Sequence, residues 1–336
     1  MKFRNLLLAT LAGVAASCTP QTEKVVLPSW NDTPVKAKLM NYLQVEVDKI
    51  PVEDRVAVFD MDGTIACERP LWFEMSVAVQ RILDLAEQDS SWKNTVEYSY
   101  AQRLSVNPSD TTVQNHWVVE GRNYLDSLIL KAFAGEENET YVAYAHAYLN
   151  KARDKKYDIA FADMFYQPMM ELIKELQQKQ FQIYIVSGSI QGIVWSVCPQ
   201  NIGFDREHLL GSRQAMNVSF PKEGPVSYIL QKEMLKPRNN HYGKAVNIYN
   251  HIGKTPVVAI GNTVGDFGMF HMASCSPYPH LALMLNHDDA EREYAYPPYY
   301  SGNPNWQDSI RINNWIQADM SKEFKVVWKQ RPSSHR

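Results

Sequence analysis

The sequence lacks the features that mark several large protein classes. Its formal net charge is only −3 over 336 residues, and its basic residues are scattered, which argues against a nucleic-acid-binding surface. No internal repeat or low-complexity tract occurs, and past the N-terminus no apolar run is long enough to cross a bilayer. The composition, 45% hydrophobic, is that of an ordinary globular chain with one large domain or two linked ones.

Cysteine is also scarce, with four in the whole chain. Beyond Cys18, the remaining Cys67, Cys198 and Cys275 are far apart and none belongs to a CxxC pair. Neither a metal cage nor a disulfide framework is therefore indicated. We expect each of the three to be an isolated buried thiol, with one disulfide bridge as the alternative in an oxidising compartment.

The N-terminus has the pattern of an export signal. Lys2 and Arg4 precede an apolar stretch over residues 6–16, and small residues follow. The tail VAASC resembles a bacterial lipoprotein box, which implies cleavage before Cys18 and lipid attachment to it; an ordinary cleavable signal is the alternative. Residues 19–35 are polar with three prolines, which predicts a tether. We expect a protein of the bacterial cell envelope that contacts a membrane through this lipid.

The stretch VAVFDMDGTIACERP ends a run of strand-forming residues with two acids. Val56–Phe59 predicts a strand buried on both faces of a parallel sheet. Asp60 and Asp62 alternate, so in an extended chain they point the same way, and Gly63 and Thr64 add backbone freedom and a hydroxyl. Open α/β sheets bind ligands at this end of a strand, and two confined acids repel unless a cation such as Mg²⁺ lies between them. A turn in which Asp caps the next helix is the alternative.

A second strand end also carries groups suited to binding an anion. A helix over about residues 169–178 leads to a strand at residues 181–186, which is predicted to break at Ser187, Gly188 and Ser189. Such an end offers hydroxyls and backbone N–H groups to a phosphate oxygen. By itself this turn is a weak signal.

A third strand, predicted at residues 257–260, is followed by Asn262 and Asp266, which place oxygen ligands at its end. Before it, Lys244 opens a predicted helix. A lysine there could neutralise both a carboxylate nucleophile and a phosphoryl group. Taken singly, a solvated helix lysine is the commoner interpretation.

The order of these elements resembles the four motifs of the haloacid dehalogenase superfamily. The resemblance continues in YQPMMELIKELQQKQFQIYIVSGS, AIGNTVGDFGMF and LMLNHDDAEREYAY, which look like exported bacterial hydrolases of the phosphoserine-phosphatase-like kind. It covers about residues 50–330. It implies an α/β fold with a doubly wound parallel sheet core and an inserted helical cap of the C1 type.

The resemblance also implies a role for each motif residue. Asp60 would be the nucleophile, Asp62 the general acid/base and Lys244 the motif-three lysine. Mg²⁺ would be held by Asp60, the backbone carbonyl of Asp62, Asn262 and Asp266. The residues that contact phosphate or the rest of the substrate would be Thr64, Ser187, Gly188, Glu68 and Trp72.

One motif position departs from the family pattern. Phosphoserine phosphatases usually have Asp where this chain has Asn262, which keeps an oxygen ligand but removes a negative charge. Asp266 could make up for that charge. A degenerate site in a binding protein is the competing explanation.

These observations predict a Mg²⁺-dependent phosphatase for a small phosphorylated metabolite, with phosphoserine-like esters among the candidates, and indicate no protein partner. A phosphate-binding lipoprotein with a degenerate site and another phosphotransferase of the superfamily are the alternatives. A hairpin with its turn at residues 222–224 is also predicted, and His287, Asp288 and Asp289 are expected in a solvated loop. The predicted segments are a signal at 1–18, a tether at 19–35, a core at 36–67 and 167–336, and a helical cap at 68–166.

Overall fold

The computed structural model describes residues 26–110, 118–119, 122–297 and 305–329. The predicted signal and Cys18 lie outside the described residues. The elements of the first half are α1 (Pro34–Asn41), β1 (Val56–Phe59), α2 (Phe73–Gln88), α3 (Val96–Val106), β2 (Val118–Val119), β3 (Arg122–Asn123), α4 (Tyr124–Ala132) and α5 (Asn138–Lys151).

The second half alternates helices and strands more regularly. Its elements are α6 (Gln167–Gln178), β4 (Gln182–Ile190), α7 (Gln191–Ile202), β5 (Leu209–Ser212), β6 (Gln214–Ser219), β7 (Ser227–Met234), α8 (Tyr242–Ile252), β8 (Val258–Gly261), α9 (Phe267–Ser274), β9 (Leu281–Asn286), α10 (Trp306–Ile312), β10 (Ile316–Asp319) and α11 (Met320–Glu323).

Six strands form one sheet in the order β10-β9-β8-β1-β4-β5, and all neighbours pair in parallel. The chain winds outward from β1 in both directions, to β4 and β5 on one side and to β8, β9 and β10 on the other. The predicted doubly wound parallel sheet is therefore confirmed.

Alternate residues of β1 face two separate hydrophobic layers. Ala57 and Phe59 belong to the larger buried cluster, whereas Val58 packs with Ile248 of α8 and Phe270 of α9 on the opposite face. A strand covered on both faces needs apolar side chains at every position. This is why the run of four apolar residues predicted the observed strand with its bounds unchanged.

In the described part of the segment between β1 and the helix that precedes β4, the chain forms four helices, α2 to α5. This is the segment predicted as a helical cap, and its cap role and its boundaries stay a prediction. The predicted hairpin is confirmed, since β6 and β7 pair in antiparallel fashion. Its second strand reaches the helical segment: the N–H of Leu230 donates to the carbonyl of Glu136 at 3.0 Å.

The predicted tether overlaps the folded body from residue 26 onward. Trp30 is 1% exposed, its Nε1 donates to the Pro168 carbonyl at 3.0 Å, and its ring lies 5.2 Å from that of Phe324. A long aromatic side chain buried in this way anchors the segment before α1. The tether prediction is therefore wrong for the segment around Trp30, and for residues 19–25, which lie outside the described residues, it stays a prediction.

Cys67 and Cys198 are buried free thiols, as expected, but Cys275 is exposed rather than buried. Among the described residues, no helix combines the length and the apolar character needed to cross a bilayer.

Candidate active site

The loop after β1 holds the two predicted acids at the carboxyl edge of the sheet. The N–H of Asp60 still pairs with the Ile260 carbonyl at 2.9 Å, so the sheet register continues to this residue. The chain then turns, and Gly63 takes a φ of +73°, a left-handed conformation that glycine adopts without strain. The N–H of Gly63 donates to the Ala66 carbonyl at 2.7 Å. These backbone bonds fix the loop that carries Asp60 and Asp62.

Lys244 joins two carboxylates at this edge. Its Nζ lies 2.5 Å from Asp60 Oδ1 and 2.7 Å from Asp266 Oδ1, and all three side chains are buried. Burial opposes the charged lysine, but the Asp266 and Asp60 carboxylates outweigh it and raise the Lys244 pKa. Burial, followed by the charge of Asp266, raises the pKa of Asp60 well above its ordinary value. One ammonium thus faces two acids, which leaves surplus negative charge.

Asp266 uses both carboxylate oxygens in the fold. Its Oδ1 accepts from Lys244, and its Oδ2 accepts from the backbone N–H groups of Asn262 at 3.0 Å and Thr263 at 2.9 Å. Asp266 therefore fixes the turn after β8 and positions the lysine. Asn262 and Asp266 are in contact, and both oxygens of Asp266 already accept hydrogen bonds. The role of Asp266 as a Mg²⁺ ligand stays a prediction.

Asp62 faces two hydroxyls of β4. Its Oδ2 accepts from Ser187 Oγ at 3.0 Å and from Ser189 Oγ at 2.8 Å. Its Oδ1 is buried and has no hydrogen-bond partner among the described residues. Burial, and then the charge of Glu68, raises the pKa of Asp62 to about 6. Asp60 and Asp62 thus differ in surroundings, one beside a lysine and the other beside hydroxyls.

The predicted break of β4 at residue 187 is wrong, because the strand continues to Ile190. Its pairing with β5 shifts register between Val186 and Ile190. Asn239 bridges the shift, since its Nδ2 donates to the carbonyls of Ser187 and Leu210, both at 2.9 Å. The opened strand presents Ser187 and Ser189 on one face, which brings both hydroxyls to Asp62.

Thr64 and Glu68 both contact Asn262. Thr64 Oγ1 donates to Asn262 Oδ1 at 3.3 Å, and Asn262 Nδ2 donates to Glu68 Oε1 at 3.0 Å. These two hydrogen bonds link Thr64 and Glu68 to Asn262. They do not link them to Ser187 or Gly188, which were also predicted to contact phosphate or substrate. The carbonyl of Gly188 accepts from Ser212 Oγ at 2.7 Å.

Trp72 immediately precedes α2 and contacts a residue that the sequence did not single out. Its Nε1 lies 3.4 Å from Glu74 Oε2, and Glu74 Oε1 accepts from the backbone N–H of Ile190 at 2.8 Å. Burial raises the pKa of Glu74 to about 7. No local pattern distinguishes this glutamate from a solvated one, because its partner lies more than a hundred residues away.

The predicted solvated loop at residues 287–289 is wrong for His287 and Asp289, which are buried. His287 Nε2 lies 2.7 Å from the Gly63 carbonyl, and its Nδ1 lies 3.1 Å from Glu293 Oε2. Its ring stacks on Tyr296 with centroids 4.3 Å apart. His287 therefore supports the loop that carries Asp62.

The donors at this edge suit a hard cation such as Mg²⁺. Within the described ranges, no group of three or more His, Cys, Asp or Glu side chains could hold a metal. The oxygen donors at this edge are the Asp60 carboxylate and the Asn262 amide, and the resemblance implies the backbone carbonyl of Asp62 as a further ligand. They are all oxygens, and the buried, unpartnered Oδ1 of Asp62 adds negative charge nearby. This donor chemistry fits Mg²⁺.

Comparisons with known proteins identify a matching family. The family profile of haloacid dehalogenase-like hydrolases matches residues 55–273. No curated protein sequence matches the chain.

Solved structures show weaker similarity. A conserved functionally unknown protein from Anaerococcus prevotii DSM 20548 is 16% identical with a TM-score of 0.46, covering 80% of this chain and 91% of its own. A phosphoserine phosphohydrolase-like protein from Francisella tularensis subsp. tularensis SCHU S4 is 11% identical with a TM-score of 0.38, covering 80% and 97%. A probable phosphoserine phosphatase from Vibrio cholerae is 12% identical with a TM-score of 0.40, covering 81% and 62%. Since these scores are below 0.5, the family assignment rests on the sequence match.

Proposed function

Because the chain belongs to the haloacid dehalogenase-like hydrolases, we propose that it is a Mg²⁺-dependent phosphatase for small phosphate monoesters. The observation that carries this proposal is the buried bridge of Lys244 between Asp60 and Asp266. A lysine held there by two carboxylates can neutralise negative charge on a phosphoryl group. Asp62, two residues on, supplies a second acid in different surroundings.

Asp60 is the proposed nucleophile. One of its carboxylate oxygens attacks phosphorus, the bond from phosphorus to the leaving oxygen breaks, and Asp62 donates a proton to that oxygen. Asp62 then takes a proton from water, whose oxygen attacks the aspartyl-phosphate and releases inorganic phosphate with Asp60 regenerated. Because its pKa is raised to about 6, Asp62 can both give and accept a proton near neutral pH.

The residues that would hold Mg²⁺ are Asp60, Asn262 and, through its backbone carbonyl, Asp62. When bound, the ion neutralises negative charge on the phosphoryl oxygens. Lys244 would share that role through its contact with Asp60, and Asp266 keeps Lys244 in place. Ser187 and Ser189 hold the Asp62 carboxylate in one orientation through two hydrogen bonds.

The proposed substrate is a small phosphorylated metabolite, with phosphoserine-like esters among the candidates. The helical segment at residues 68–166 would act as the cap that excludes water and selects the leaving group. Its first helix already reaches the site, since Glu74 of α2 binds the N–H of Ile190. A screen of phosphorylated metabolites against the purified protein would identify the substrate class.

Hydrolysis of p-nitrophenyl phosphate with and without Mg²⁺ tests the proposal. We expect turnover that depends on Mg²⁺ and is lost in EDTA. A phosphate-ligand binding protein is the alternative, motivated by Asn262, and it would bind phosphate esters with no turnover at any Mg²⁺ concentration. Turnover that persists unchanged in EDTA would contradict the metal requirement.

We also propose, from the N-terminal sequence, that the protein is exported and held on a membrane by a lipid on Cys18. Cys18→Ala should shift the protein from the detergent-extracted membrane fraction to the soluble exported fraction. If the variant partitions as the parent does, the lipid anchor is contradicted.

A further inference from the structure

The amide of Asn262 has a defined orientation. Its side chain is buried, and Nδ2 lies 3.0 Å from Glu68 Oε1, while Oδ1 accepts from Thr64 Oγ1 at 3.3 Å. A carboxylate only accepts hydrogen bonds, so the amide must present N–H to Glu68. Glu68 therefore determines which way the Asn262 oxygen faces.

The pair packs against the loop that carries the nucleophile. A Cβ on Gly63 would lie 1.9 Å from Asn262 Nδ2 and 2.7 Å from Glu68 Oε1, so only glycine permits this close approach. Glu68 also accepts a hydrogen bond from Tyr296, and its charge contributes, after burial, to the raised pKa of Asp62. Glu68 therefore lies close to both Asn262 and the loop that carries Asp62.

An aspartate at position 262 would be poorly matched to this environment. In the pose of Asn262 it would place a second carboxylate oxygen at hydrogen-bond distance from Glu68 Oε1, with no proton between them. Two such carboxylates repel each other strongly when buried. Asn262 is therefore the complement of Glu68, and its presence does not require that the site has decayed.

We propose that Glu68 supplies the negative charge that position 262 lacks, so that Glu68 and Asn262 act as one unit toward Mg²⁺. Asn262 provides the oxygen ligand, and Glu68 orients it and contributes the charge. The inference rests on the proposed Mg²⁺-dependent function, and it gives Glu68 a positioning and electrostatic role in place of the substrate contact predicted from the sequence.

The pair can be reversed without loss of its hydrogen bond. In Glu68→Gln the new amide oxygen still accepts from Asn262 Nδ2, so this variant removes the charge and keeps the contact. In the double variant Glu68→Gln/Asn262→Asp, the glutamine N–H donates to the new carboxylate and the charge returns on the other partner. Glu97→Gln serves as the matched control, because Glu97 is also buried but binds Ser127 and Lys131 rather than Asn262.

Calorimetric titration of the substrate-free protein with Mg²⁺ measures the effect independently of activity. We expect Glu68→Gln to weaken Mg²⁺ binding about tenfold or more, as for the loss of one charge contact. The double variant should return to within about threefold of the parent Kd, and Glu97→Gln should stay within the same range. In EDTA, Asn262→Asp should lower the urea midpoint in the parent background and much less in the Glu68→Gln background.

Three results would overturn the inference in different ways. If the parent and Glu68→Gln bind Mg²⁺ with the same Kd, Glu68 has no role in metal binding. The proposed phosphatase function would not be affected by that result. The inference also fails if Glu68→Gln binds Mg²⁺ weakly and the double variant binds it equally weakly, although both variants are folded. A parent that binds no Mg²⁺ and shows no turnover would overturn the proposed function together with the inference.

Discussion

Replacement of Lys244 by methionine tests how strongly the buried charge cluster depends on its single ammonium. The Nζ lies 2.5 Å from Asp60 and 2.7 Å from Asp266, and Lys244 is 2% exposed. Lys244→Met keeps most of the side-chain volume but leaves two buried carboxylates facing each other. Breaking a buried ion pair by removing one partner costs about 3–5 kcal/mol of unfolding free energy, and we expect a loss in that range.

The assay is urea-induced unfolding followed by tryptophan fluorescence, in EDTA so that metal binding does not contribute. Lys322→Met is the matched control: Lys322 pairs with Asp319 at a similar 2.8 Å, but its side chain is 70% exposed. We expect no measurable change for this surface pair, because solvent screens it.

A second variant shows whether the loss comes from charge. Lys244→Met/Asp266→Asn removes one of the two stranded carboxylates and keeps a side-chain oxygen for the N–H groups of Asn262 and Thr263. It should recover part of the lost stability. A loss below about 1 kcal/mol for Lys244→Met, or no recovery in the double variant, would refute the view that the lysine compensates buried acids.

Three further changes probe the rest of the site. Asp60→Asn should abolish turnover while the protein stays folded, because Lys244 keeps its pair with Asp266. More than a few per cent activity, after deamidation is excluded, would contradict the nucleophile. Ser189→Ala removes one of two hydroxyl donors to Asp62 and should lower kcat/KM by roughly tenfold or more, so an unchanged kcat/KM would contradict that role. Burial raises the folded-state pKa of Glu74 from 4.5 to about 7, so its stabilising contribution is complete below pH 4.5 and is lost as the pH rises through 7. Glu74→Gln should therefore flatten the decline in unfolding free energy between pH 5 and 8 by roughly 2–4 kcal/mol, measured by urea unfolding, and a parallel decline in both proteins would contradict it.

The sequence predicts three of the six strands of the sheet, β1, β4 and β8, because each has a local signature. Four consecutive apolar residues in β1 defined its bounds, since both faces of this strand are covered. β4 was harder, because a glycine flanked by two serines suggests a turn. The strand continues because Asn239, some fifty residues later, satisfies the carbonyl left unpaired by the register shift.

The partners within the site depend on contacts that no local pattern reveals. The motif order brought Asp60, Lys244 and Asp266 into one cluster, as the resemblance implied. It did not reveal that Glu68 contacts Asn262, or that His287 supports the Gly63 carbonyl across 224 positions of sequence. Distant elements decide whether a polar side chain is buried, so the local sequence around His287 predicts only a solvated loop.

Acid-quench labelling tests the central claim, that Asp60 carries the phosphoryl group, most directly. The protein is mixed with Mg²⁺ and a phosphate monoester that it hydrolyses, and the reaction is quenched in acid. The digested protein is then analysed by mass spectrometry for an acyl-phosphate that hydroxylamine removes. We expect the label on the peptide that contains Asp60, and none in Asp60→Asn. Turnover with no label on Asp60, or with a stable label on another residue, would contradict the proposed chemistry.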